Sequence, residues 1–448
     1  MLHEITTPFR SMVDAEAGTV DRQIFTDEAI YQLELERIFA RAWNFMCHET
    51  QIPKAGDFFL SFIGEESVIA TRDKKGQLQV LLNSCRHRGN AVCRAEEGNA
   101  RSFLCTYHGW TYGLDGSLIG VPGYKDFYHE QLDKSQWGLV KAGKVASYKG
   151  FVFATMDPEA PDLEDYLGPV GRLALDLTAG RGTIRIVQGV QKNQIGCNWK
   201  LANDNLFDYY HPDISHASAV MNNFIDRSAG DHKKRQMEHR NLFGEYGHGI
   251  GGPRLTEETW AVVDKKAAEG AVDPLQIEQW RRTPENAEML GDQIDTKGHR
   301  LIFPNLWVPS STSQICLRLP KGPDVCEIWW FTIEPEEFTE AQSEAVRMRA
   351  IHHFGAAGLL EQEDGENWDQ STRAMKGVVA RRYPLNFSMN LGLGEVQGSD
   401  LGLTYVDTHV SEHNQLWTYR AWADWMDAES WAALKADHAM PPEAGGRI

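Results

Sequence analysis

The chain has 448 residues, 42% hydrophobic and 24% charged, a composition that allows one or two substantial buried cores. Its 63 acidic and 45 basic residues give a formal net charge of −18, which argues against nucleic acid or an anionic membrane surface as a partner. No stretch approaches the roughly 18 apolar residues of a membrane span, and the start from Met1 to Met12 lacks the apolar core of a secretory signal. The expectation is a cytoplasmic protein of two domains. Its seven cysteines are odd in number and scattered, and so read as reduced thiols or metal ligands.

In chain order, residues 27–40 predict a helix whose acidic start suits the helix dipole. Residues 56–160 read as short β-segments separated by turns, with Lys75-Gly76 and Leu114-Asp115-Gly116 as the clearest turn signals. The acidic, proline-containing stretch 156–161 is the best boundary candidate. Beyond it the texture becomes α+β, with helical patterns around 203–220, 338–354 and 358–378 and a strand-like run at 325–333. There is no internal repeat or low-complexity tract.

The β-rich half contains Cys85-Arg86-His87 and, 17 residues on, Cys105-Thr106-Tyr107-His108-Gly109-Trp110. Two thiolates suit one iron of a [2Fe–2S] cluster, and two neutral imidazoles suit the other. Replacing anionic thiolates by imidazoles makes such a cluster easier to reduce. The competing reading is a structural Cys₂His₂ zinc site, but such sites usually separate their first ligand pair by two to four residues.

The helical half carries His211 and His216. Five residues on an unbroken helix rotate by about 500°, leaving the rings about 140° apart, too far round to share one ion. Pro212 is expected to break the helix after His211 and let the chain re-aim His216. The candidate third ligand is Asp364, whose carboxylate would complete a two-histidine, one-carboxylate face that leaves positions of Fe(II) open for oxygen. The HxxxxH spacing alone is a weak signal and gains weight from the cluster motif on the same chain. The absence of HExxH disfavours zinc-protease chemistry.

Together these residues resemble the large α subunit of the aromatic-ring-hydroxylating dioxygenases of the naphthalene, biphenyl and phenylpropionate dioxygenase group. The resemblance spans most of the chain and includes Tyr31 to Phe39, Tyr107 to Trp110, Ser147 to Gly150, Phe303-Pro304-Asn305 and Pro384 to Glu395. It implies an α+β fold in which a β-rich Rieske [2Fe–2S] domain is inserted into a catalytic domain with an antiparallel sheet surrounded by helices. The implied spans are 1–40 for an N-terminal helical segment of the catalytic domain, 41–160 for the Rieske domain and 161–448 for the catalytic mononuclear-iron domain.

By position, the resemblance assigns Cys85, His87, Cys105 and His108 to the cluster, and His211, His216 and Asp364 to a mononuclear Fe(II). Asp208 resembles the acidic residue that links the cluster of one subunit to the iron of its neighbour. Pocket candidates are Asn205, Leu206, Phe207, His299, Phe354 and Leu360, with core packing as the competing reading for the apolar ones. The implied partners are a small β subunit in a three-plus-three assembly, a ferredoxin or reductase, an aromatic substrate and O₂. The implied reaction gives a cis-dihydrodiol. Monohydroxylation or demethylation on the same centres is the nearest alternative, and an electron carrier without catalytic iron is an alternative of a different class.

Two departures fall near the expected cavity. The Asn205 to Asp208 spacing is one residue shorter than in the naphthalene and biphenyl group, and the segment Arg318 to Pro323 lacks two residues of the usual strand. The substrate therefore stays open.

Overall fold

A computed structural model describes residues 8–222, 238–272 and 278–446. The chain forms two compact units, one made of Met1–Ile38 with Glu164–Ile448 and the other of Phe39–Leu163.

The smaller unit is built from three antiparallel sheets. Its largest has the order Leu78–Leu82, Glu66–Arg72, Asp57–Ile63, Glu97–Asn99. Asp73 and Gly76 close the turn between two of these strands, with the Gly76 N–H donating to the Asp73 carbonyl at 3.0 Å. Phe103–Leu104, Thr111–Tyr112 and Leu118–Gly120 form a second sheet, and Gly116 turns the chain between its last two strands. The core between these strands collects Phe58, Ile69, Leu81, Phe103, Trp110 and Tyr112, together with the thiols Cys85 and Cys105.

Among the described residues the larger unit is organised on an antiparallel sheet of ten strands. Its centre runs Cys326–Pro335, Gln314–Pro320, Leu306–Val308, His299–Ile302, Gly249–Pro253, His239–Phe243. Every residue of Gln314–Pro320 is buried, so this strand reads as a continuous run and does not alternate. Helices cover the sheet, and His413–Asp427 is buried along nearly its whole length, packing on the strands His239–Phe243 and Gly249–Pro253.

The expected N-terminal helix is shorter and less regular than its pattern suggests. Asp27 caps an α-helix, Glu28–Glu34, by accepting from the N–H groups of Ala29 and Ile30, and the last turn widens into a π-helix at Leu35–Phe39. The later helices fall at Glu340–His353 and Leu359–Met375, and the strand at Cys326–Pro335.

The role expected of Pro212 needs correction. It does not break a helix but starts one, Pro212–Ser215, as its first residue, where its fixed φ and missing N–H cost nothing. The break precedes it: the helix Trp199–Asp204 tightens into a 3₁₀ turn at Asn205–Phe207, and Asp208 is extended. A second interruption at His216 separates Pro212–Ser215 from Ala217–Met221 and re-aims the His216 ring.

Candidate metal centres and substrate cavity

The first site lies wholly within the smaller unit. Two loops share one hydrogen-bond pattern: the Cys85 N–H donates to the Asn90 carbonyl at 2.9 Å and the Cys105 N–H to the Trp110 carbonyl at 2.8 Å. In each, the glycine four residues on, Gly89 or Gly109, donates back to the cysteine carbonyl from φ of 73° or 75°, a conformation that side chains disfavour. The loops therefore present their ligands in matched fashion. Cys85 and Cys105 are buried while His87 and His108 are half-buried, so the thiol end faces the core and the imidazole end faces outward.

The two rings meet edge to face with centroids 4.5 Å apart, and His87 stacks on Trp110 at 5.0 Å. The His87 Nδ1 is buried with no hydrogen-bond partner among the described residues, as a nitrogen reserved for a metal would be. The sulfurs are also addressed by donors: Tyr112 Oη lies 3.2 Å from Cys85 Sγ, and the Asn90 amide donates to Cys105 Sγ at 3.7 Å. This set of two sulfurs and two nitrogens fits a mixed-ligand [2Fe–2S] cluster.

The second site belongs to the larger unit. His211 Nε2, His216 Nε2 and Asp364 Oδ1 converge, with separations of 3.2 Å between the nitrogens and 3.2 and 3.4 Å from them to the oxygen. Ligands held about 2.1 Å from one ion at right angles lie roughly 3 Å apart, so the spacing is that of a facial triad. Asp364 stands on the helix Leu359–Met375, which approaches the strand Gln191–Ile195 closely at Gly365; a Cβ there would lie 2.9 Å from Ile195 Cδ1.

Around this triad the charge is negative. Burial pushes the His211 imidazole down, but the Asp208 and Asp364 carboxylates outweigh it and raise it to about 10, a field that suits a cation at the centre. Asp208 accepts from the backbone N–H groups of Tyr210 at 2.7 Å and His211 at 3.1 Å through Oδ1, as a turn-capping aspartate does. Its Oδ2 stands 3.3 Å from His211 Nδ1, outside the alignment of a full hydrogen bond. Burial works to raise the Asp208 carboxyl, and contact with His211 holds it low.

Sequence reasoning missed Glu363. Its carboxylate accepts from His216 Nδ1 at 2.9 Å and from the Ser218 hydroxyl, which fixes the ring so that Nε2 turns toward the triad. The only sequence cue is its place beside Asp364 in an acidic run.

A cavity of about 670 Å³ opens on the triad, within the range of small-molecule sites. Of the pocket candidates, Asn205, His299, Phe354 and Leu360 line it, joined by Tyr209 and Trp307. Leu206 and Phe207 do not line it. Both are buried in the core, and the Phe207 ring seats on the glycine-rich strand Gly249–Pro253, where a Cβ at Gly251 would come within 2.9 Å of it. Phe354 stacks on Trp330 at 4.8 Å and meets Trp307 edge-on, and the next residue, Gly355, donates its N–H to Glu361 at 2.5 Å, which holds this wall in place. The Ser310 N–H donates to His299 Nδ1 at 3.0 Å, so the hydrogen of this ring sits on Nε2. Burial keeps the ring neutral, with Arg300 and Arg318 adding to the effect, at a value of about 3.

These two centres and their folds define a Rieske-type oxygenase subunit. Residues 42–148 match the Rieske [2Fe-2S] domain, and residues 165–427 match the ring hydroxylating alpha subunit (catalytic domain). The chain belongs to the ring-hydroxylating dioxygenase α-subunit family, whose members carry a Rieske cluster and a mononuclear iron. It is 37% identical over 445 residues to biphenyl 2,3-dioxygenase subunit alpha of Rhodococcus jostii (strain RHA1), covering 97% of this chain and 94% of that one. It is 35% identical to benzene 1,2-dioxygenase subunit alpha of Pseudomonas putida, covering 96% of each. Among solved structures it resembles naphthalene 1,2-dioxygenase from Rhodococcus sp. bound to indole, with a TM-score of 0.80, 33% identity and coverage of 94% and 98%. Among the described residues no helix is long and apolar enough to cross a membrane.

Proposed function

We propose that the chain is the terminal oxygenase component that adds both atoms of O₂ to an aromatic ring, giving a cis-dihydrodiol. The observation that carries this reading is the convergence of His211, His216 and Asp364 within 3.2 to 3.4 Å in the lining of a largely apolar cavity. Arene, O₂, two electrons and two protons balance one dihydrodiol. Bound at these residues, the cluster supplies single electrons and the mononuclear iron supplies oxygen activation.

The chain's own residues prepare this chemistry. Cys85, His87, Cys105 and His108 hold the cluster, and His211, His216 and Asp364 hold the iron. Glu363 keeps the hydrogen of His216 on Nδ1 and so frees Nε2. Trp307, Phe354 and Leu360 form an apolar wall that keeps water from the ring. Asp208, at 3.3 Å from His211, is a positioning group that also connects toward the cluster of a neighbouring subunit, probed by the Asp208→Asn variant below.

The relatives are named as α subunits, and this supports a small β subunit, in a three-plus-three assembly, together with a ferredoxin or reductase fed by NAD(P)H as partners. The site of action follows as cytoplasmic, where such reductants are available. The test is turnover of the reconstituted system on a panel of aromatic hydrocarbons and acids under ¹⁸O₂. Two labelled oxygens in a cis-diol are expected; a single labelled oxygen, or loss of a methyl group, would overturn dihydroxylation.

A further inference from the structure

Away from the triad, the cavity wall combines an apolar stripe with basic residues. The helix Glu257–Ala268 presents Thr259, Val262, Val263 and Lys266 to the cavity, positions spaced by three, four and seven residues that form one face about 10 Å long. Arg254, Lys297 and Arg349 line the same cavity, whereas its lining carboxylates among the described residues are Asp208 and Asp364, both at the triad. On a chain of net charge −18 this local excess of cations runs against the average.

The cations differ in how they are matched. Arg254 is answered by Asp407 at 2.8 Å and by Asp295, and Lys297 by Glu278 at 2.7 Å. Lys266 has no carboxylate partner among the described residues, although its neighbour Lys265 reaches Glu269. It is only partly exposed, with Val262 and Val263 one turn away on the same face. Its ammonium therefore meets no carboxylate of the described residues while its stem lies along Val263, and an anion brought by a ligand into the cavity would match it.

We propose that the substrate is an aromatic carboxylate, not a neutral hydrocarbon: its ring lies toward His211, His216 and Asp364, and its carboxylate pairs with Lys266. This rests on the ring-hydroxylating reading and narrows its substrate class. Apolar contacts with Val262, Val263 and Trp307 hold the ring, and the ammonium sets which ring enters.

The test compares 2-naphthoate with its neutral counterpart of similar shape, 2-methylnaphthalene, by calorimetric titration of the iron-replete holoenzyme. In the wild type, 2-naphthoate is expected to bind at least tenfold more tightly, with a margin that shrinks as salt rises. In Lys266→Met that margin falls below threefold while 2-methylnaphthalene binding changes less than twofold, and Lys266→Arg recovers most of it. Equal or tighter binding of 2-methylnaphthalene by the wild type, an unchanged ratio in Lys266→Met, or no binding of either compound overturns the inference. Turnover of both compounds in the reconstituted system is read separately. If neither ring is oxygenated, the proposed function fails, whatever the binding ratio says about Lys266.

Discussion

Removing the Glu363 carboxylate tests whether the triad is held from behind. His216 is buried, and its Nδ1 hydrogen goes to Glu363 Oε2 at 2.9 Å, a charge-assisted bond in a partly dry setting. Without this acceptor the ring gains freedom to rotate and to carry its hydrogen on Nε2, the nitrogen that faces the triad. A hydrogen bond to a charged group contributes about 1.5–3 kcal/mol, and loss of such a partner behind a metal-ligating histidine costs about 10–100-fold in metal affinity. Glu363→Ala should therefore bind Fe(II) at the mononuclear site about 30–100-fold more weakly, and Glu363→Gln, which keeps an acceptor but not the charge, about tenfold. The assay is competition for Fe(II) with a graded series of chelators, with the visible spectrum of the cluster as internal control. Wild-type Fe(II) affinity in Glu363→Ala would refute the reasoning. Loss of the cluster spectrum in the same variant would show damage beyond the triad.

Asp364→Ala should abolish mononuclear iron binding and turnover while leaving the cluster spectrum unchanged, and iron analysis before and after mild chelation checks this. Asp208→Asn should keep the cluster and most of the iron yet slow reoxidation of the reduced cluster when substrate and O₂ are added; wild-type rates by stopped-flow absorbance would reduce Asp208 to the turn cap its backbone bonds describe. Tyr112→Phe removes the hydroxyl 3.2 Å from Cys85 Sγ and should lower the cluster midpoint potential by about 40 mV, equivalent to one hydrogen bond of about 1 kcal/mol, as read by redox titration. Burial works to raise the Glu278 carboxyl, but Arg281 and Lys297 hold it down at about 2 against its ordinary 4.5. Its stabilising contribution, on the order of 3 kcal/mol, is therefore present above pH ~4.5 and lost as pH falls toward ~2. Thermal melts of Glu278→Gln across that range should show a flatter acid limb.

What the sequence revealed depended on how local each arrangement is. The cluster motif was readable because each cysteine–histidine pair sits in one short loop, and the two loops repeat the same glycine-terminated turn. The fold class followed from the change of texture near residue 160 and from the resemblance, and the antiparallel sheets and covering helices agree with it. The second site was harder. His211 and His216 were visible as a pair, but their convergence depends on two interruptions, at Asp208 and at His216, and the proline between them starts a helix instead of breaking one. Asp364 is a candidate as a carboxylate on a helical segment and is assigned again by the resemblance, but nothing within its own segment separates it from Glu361, Glu363 and Glu366.

Helix phase separates those four carboxylates. Successive residues on Leu359–Met375 turn by about 100°, so neighbours in the acidic run face different surroundings. Asp364 meets the two histidines, Glu363 reaches the back of one of them, and Glu361 turns into the core to accept the Gly355 N–H beside Phe354. Burial pushes the Glu361 carboxyl up to about 7, against the pull of Gly355 and Arg318, whereas Glu363 keeps a partly exposed edge. One helix thus supplies a candidate ligand, the group that orients another ligand, and the support of the cavity wall, within four residues. A register shift of one residue here would disturb all three together. That coupling explains how the site holds its geometry although its histidines come from a broken, irregular segment: the irregular strip carries the ligands that must be re-aimed, and the regular helix supplies the frame they are aimed against.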